Sequence, residues 1–140
     1  MDTTEILNGL RAENKKEFPT ECFESDNINY SAHMKQLMDS KGVSMGDLVK
    51  KMGYERSYIY HMLDGSRTPS RIFLLRFAIV SGLTYDETQR ILFITGNGLL
   101  YAKVEYDAVI IYSLERHYTD AQVNDLLESV GMKHLFAEPT

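Results

Sequence analysis

Apolar residues recur along most of this chain at every third or fourth position, the spacing of one helix face. The pattern begins in residues 3–17 with Ile6, Leu7 and Leu10. Phe18-Pro19 ends it, because the residue before proline avoids the helical region. Residues 19–28 read as an acidic connector. The periodicity resumes over 29–41, where Met34, Leu37 and Met38, with Ala32 or His33, make an inner face and Gly42 closes the helix. Ser44 caps the next helix, with Asp47 three residues on in the manner of a capping box. Leu48, Val49 and Met52 are its apolar face, and Gly53 follows its last turn. A helix over 56–63 turns Ile59, Met62 and Leu63 inward and stops at Asp64-Gly65. Pro69-Ser70 opens a helix that runs to Ser81 and Gly82. Thr84 caps another, with Asp86 and Glu87 in its first turn, where carboxylates complement the helix dipole. It continues through Ile91, Leu92 and Thr95 to Gly96-Asn97-Gly98. Residues 103–118 are helical in character but apolar on nearly every side, which predicts burial on several faces. Thr119 caps a last helix, with Val123, Leu126, Leu127 and Val130 at helical spacing before Gly131. No strand pattern interrupts the series, so the expected fold is all-α, with seven or eight helices.

The helices at 44–52 and 56–63 are joined by a turn of three or four residues containing a glycine, the layout of a helix-turn-helix. The positions Ser57, Ile59, Gly65, Arg67, Pro69, Ser70, Leu74-Leu75, Ala78 and Gly82-Leu83-Thr84 carry a closer likeness. With that spacing, residues 30–87 resemble the Xre/Cro-type helix-turn-helix domain of bacterial and phage repressors. The resemblance implies a five-helix repressor-like domain over 29–96, an N-terminal extension over 1–28 and a C-terminal helical extension over 97–140, used for packing or interaction. The chain departs from the family's pattern at Met45, where glutamine is frequent, at Glu55, where a small polar cap is usual, and at Leu63, often acidic.

Net charge sharpens this picture once it is divided. The whole chain of 140 residues carries −5. Residues 1–29 hold three basic and seven acidic groups, and residues 83–140 hold four and nine. Residues 30–82 hold eight basic and four acidic groups, so the basic excess falls on the helix-turn-helix, as a phosphate-facing module requires. The start MDTTEILNGL lacks the layout of a signal peptide, and no apolar run reaches the length of a membrane span. A cytoplasmic protein with no membrane contact is expected. The single cysteine, Cys22, can form no internal disulfide, which agrees with that compartment.

The resemblance also implies which residues meet DNA. At the start and middle of the recognition helix, Arg56, Ser57, Tyr60 and His61 occupy the base-reading positions. Arginine pairs bidentately with guanine, which makes Arg56 the prime reader. Tyr60 can also meet a thymine methyl through its ring. Tyr58, Ser66, Arg67 and Arg71 are the candidates for phosphate, contacts that set position rather than sequence. Ile72, Phe73 and Ile79 stand where the family usually shows polar residues, and Ile72 and Ile79 are spaced to share a face. That apolar face must be covered, by the helices after Gly98 or by a second subunit.

No catalytic constellation appears. Gly96-Asn97-Gly98 follows a helix and is a turn rather than a phosphate loop. His33, His61, His117 and His134 have no metal-ligand spacing, and neither a metal nor a cofactor is expected. The resulting expectation is a non-enzymatic transcriptional regulator that binds double-stranded operator DNA as a homodimer, with a protein partner a candidate role for the C-terminal half. The rival is an adaptor that keeps the helix-turn-helix fold but reads another protein through its tyrosines and apolar face.

Overall fold

A computed structural model of the chain describes residues 29–136, so the helix expected over 3–17, the acidic connector and Cys22 lie outside the described residues. Seven helices follow one another there: α1 (Tyr30–Lys41), α2 (Met45–Met52), α3 (Arg56–Leu63), α4 (Arg71–Ser81), α5 (Tyr85–Ile94), α6 (Glu105–Glu115) and α7 (Asp120–Ser129). No strand is present among the described residues. The all-α expectation holds.

Local chemistry sets the helix starts. Asn29 caps α1, its side chain accepting the backbone N–H of Ser31 at 2.9 Å. Ser44 and Asp47 form the reciprocal box at α2, at 3.1 and 2.9 Å. Ser70 caps α4 through the N–H of Phe73. Thr84 with Glu87 and Thr119 with Gln122 close two further boxes, at α5 and α7. Each satisfies helix donors that would otherwise lack a partner. Between α2 and α3, Gly53 stands at φ +82°, a conformation glycine adopts without strain.

The helix α4 is the axis of the structure. Every residue from Phe73 to Ile79 is buried, and α1, α2, α5, α6 and α7 all contact it. A helix packed on most of its sides carries apolar residues nearly all round, as this one does. The helices α6 and α7 pack on α4 from within the chain, the first of the two coverings the sequence allowed. The candidate interaction surface of Ile72, Phe73 and Ile79 is corrected accordingly. Phe73 and Ile79 are core residues, and of the three only Ile72 is exposed, at 44%. Phe73 packs against Tyr54 and Tyr58, with ring centres 5.4 and 5.9 Å away.

One continuous hydrophobic cluster runs from Met34 to Phe136 and includes Ile110, Ile111, Leu114, Val123 and Leu127. Residues 97–136 therefore complete the core of the first five helices. Two arginines of α4 reinforce this union. Arg71 donates from Nε to the Gly98 carbonyl at 2.9 Å, and from Nη2 to the Leu99 carbonyl and the Asp107 carboxylate at 3.2 and 2.9 Å. Asp107 is buried in α6 and also accepts the Tyr101 N–H. Arg76 is buried too. Its Nε donates to the Leu135 carbonyl at 2.7 Å and its Nη1 to the Met52 carbonyl at 3.0 Å. The guanidinium lies 4.6 Å from the Tyr54 ring centre and 5.9 Å from that of Phe136. Asn124 of α7 holds the same C-terminal segment, accepting from the N–H groups of Leu135 and Phe136 and donating to the Phe136 carbonyl.

Candidate nucleic-acid interface

The turn after α2 and the stop at Asp64 leave α3 only eight residues, enough for two turns. Its inner side is set by Ile59, Met62 and Leu63, all buried. Positions three and four apart share a side of a helix, so Arg56, Ser57, Tyr60 and His61 share the outer one. All four are exposed, Tyr60 at 57%. Together with Met45, from the first turn of α2, they line one shallow depression whose wall is almost entirely apolar. A second depression, lined by Glu55, Ser57, Tyr58, His61, Ser66 and Arg67, adjoins it. Ser57 and His61 border both, so the outer side of α3 continues without a break onto the loop that follows.

That loop is held from several directions. The Tyr30 hydroxyl lies 2.8 Å from the Arg67 carbonyl and 3.2 Å from that of Gly65, and it donates to them. The Ser31 hydroxyl donates to the Leu63 carbonyl. Asp64 accepts the Ser66 N–H at 2.8 Å. The side-chain and backbone hydrogen bonds of Ser66 hold the Asp64 carboxyl below its usual range, with the His61 and Lys35 charges adding to the effect. Beyond Arg67, the Asn97 amide donates to the Pro69 carbonyl. The loop that presents Ser66 and Arg67 is thus tied to α1 at one end and to the turn after α5 at the other. Sequence reasoning gave Tyr30 and Ser31 no role and saw Asn97 only as a turn residue, since they act on residues 37, 32 and 28 positions away. Tyr30→Phe is expected to lower stability by about 1 kcal/mol, the worth of an ordinary hydrogen bond, measured by urea denaturation. An unchanged midpoint would show that the hydroxyl does not hold the loop.

Of the residues expected on phosphate, Ser66 and Arg67 are exposed in this loop. Tyr58 is half-buried and stacks on Tyr54, with ring centres 4.8 Å apart. Arg71 is turned elsewhere, toward Gly98, Leu99 and Asp107. Its expected place among the phosphate contacts is therefore corrected, because a buried carboxylate and two carbonyls already receive its donors. The same reasoning thins the basic excess. Arg71 and Arg76 are engaged inside, and Lys41 pairs with Glu87 at 2.9 Å. Lys35, Lys50, Lys51, Arg56 and Arg67 remain as exposed cations of residues 30–82. Glu55, at the head of α3 with no cap bond from its side chain, and Asp64 at its foot are the acids at the two ends of that helix.

Among the described residues no three acidic, histidine or cysteine side chains gather as a metal site, and no helix is long and apolar enough to cross a membrane. No curated protein and no solved structure matches the chain. A family model does, that of the helix-turn-helix domain, over residues 30–91. Residues 30–91, from α1 into α5, are a helix-turn-helix domain, consistent with the Xre/Cro-type family and with DNA binding in general, joined to a C-terminal half that the family model does not reach.

Proposed function

We propose that the chain is a sequence-specific DNA-binding transcriptional regulator of the cytoplasm that lays α3 in the major groove. The observation that carries this reading is the gathering of Arg56, Ser57, Tyr60 and His61 on one exposed face, continuous with the pinned loop of Ser66 and Arg67. Arg56 reads guanine through its forked donors, and Arg67 holds the backbone. The chain acts as a homodimer, placing two copies of α3 on half-sites about 34 Å apart.

Selection of duplexes from a random library tests the reading. Wild-type protein enriches a short palindrome, and Arg56→Ala weakens binding to it roughly ten- to a hundredfold and relaxes one base position. Arg67→Ala weakens all sequences alike and reduces the slope of log affinity against log salt by about 1. No enrichment at low salt would sink direct DNA readout. A second reading, a protein-binding adaptor, draws support from the exposed Tyr60 beside an apolar wall, since tyrosine is a frequent anchor of protein interfaces. Affinity for such a partner varies little with salt.

A further inference from the structure

The depression between α2 and α3 is unusual for a surface meant to meet DNA. Three of its five lining residues are Arg56, Ser57 and His61, yet the wall they form with Met45 and Tyr60 is almost entirely apolar. A polyanion offers such a wall little, since phosphate and most base edges present charge or hydrogen-bonding groups. The major groove has one apolar group to offer, the C5-methyl of thymine.

Resting on the proposed DNA-binding function, we infer that Met45 and Tyr60 form a receptor for a thymine methyl group, beside the base pair that Arg56 reads. The occupant is argued from three features. The depression lies on the same side of α3 as the guanine-reading candidate, so whatever enters the groove there passes over it. Arg56 lines the same depression, so a base pair next to the one it reads comes to lie against the apolar wall. Its two apolar walls come from different helices, with Met45 held half-buried just behind the Ser44–Asp47 capping box. The Met45 part of the wall is therefore placed before DNA arrives, and the Tyr60 ring, exposed beside it, supplies the other part. Specificity would then have two parts of different chemistry. Arg56 selects guanine by hydrogen bonding, and the Met45–Tyr60 wall selects thymine by removing its methyl from water.

The test uses the duplex enriched by the full-length chain, resynthesised with 2′-deoxyuridine in place of each thymine in turn. This change deletes the methyl and leaves base pairing intact. One thymine in each half-site is expected to bind about fourfold more tightly than uracil, the scale of burying a single methyl-sized group. Met45→Leu keeps that preference. Met45→Gln and Tyr60→Ser abolish it while the duplex is still bound. Tyr60 is exposed, so its replacement leaves the fold intact even if a change at Met45 does not. Equal binding of thymine and uracil at every position would overturn the inference, as would a preference that survives undiminished in both Met45→Gln and Tyr60→Ser. In either case enrichment of a duplex still supports DNA binding. Failure to enrich any duplex removes the DNA-binding reading and this inference together.

Discussion

Phe73→Ala is expected to lower the free energy of unfolding by about 3–5 kcal/mol, the range for truncating a buried phenylalanine. The side chain is fully buried, and Tyr54 and Tyr58 lean on it. Alanine would leave a void beneath both rings, and their surroundings can collapse only in part, because Tyr54 is also stacked on Arg76. The experiment separates two roles that the sequence allows for this residue. A side chain kept on the surface for a partner would tolerate alanine within about 0.5 kcal/mol in the free protein. Urea denaturation decides between them, and a loss under 1 kcal/mol would remove Phe73 from the core. Because Tyr58 belongs to α3, the same variant should bind DNA more weakly than its folded fraction accounts for.

Arg76→Ala is the second large effect, about 3 kcal/mol. Two buried carbonyls, at Met52 and Leu135, would each lose a donor, and an unsatisfied buried acceptor costs about 1–3 kcal/mol. The stem and guanidinium also fill space between Tyr54 and Phe136. Arg76→Lys should recover only part of the loss. An ammonium carries the charge but cannot span both carbonyls as the planar fork does. Thermal unfolding measures the loss, and limited proteolysis should show faster cleavage within residues 130–136. A variant as stable as wild type, with the C-terminal segment equally resistant, would mean that Arg76 does not hold that segment in place.

These two residues also mark where sequence reading reached its limit. The bounds of α3 were legible, because a glycine turn and Asp64-Gly65 bracket it. So were the caps at Ser44, Ser70, Thr84 and Thr119, since a cap acts on a donor two or three residues away. The outer face of α3 was legible for the same reason, periodicity within two turns. Periodicity went only part of the way at α4. Ile72 and Ile79 share a side by spacing, yet a helix enclosed by five others has no single covered face. The arginines were invisible in their real roles. Arg71 reads as a phosphate ligand and Arg76 had no role assigned, while their partners lie 36 and 59 residues further along. The start of α6 at Glu105, two residues past the apolar run's expected beginning, has a similar origin. The Tyr101 N–H is drawn to Asp107, and Leu100 is fixed to Gln89, before the helix begins.

The bond from Arg76 to Leu135 has a consequence for the order in which the protein is made. A ribosome adding about 5–20 residues per second completes Arg76 roughly 3–12 s before the Leu135 carbonyl, 59 residues on, exists. Through that interval the nascent chain holds every residue of α3, but the cation behind its supporting turn has only one of its two acceptors. Once α4 has left the ribosome, its faces destined for α6 and α7 are also open to water until those helices follow. Such a surface invites association with other nascent chains or with a chaperone. Helix α3 is thus synthesised early and braced late, and slow translation of residues 97–135 would lengthen the period in which half-built copies can meet.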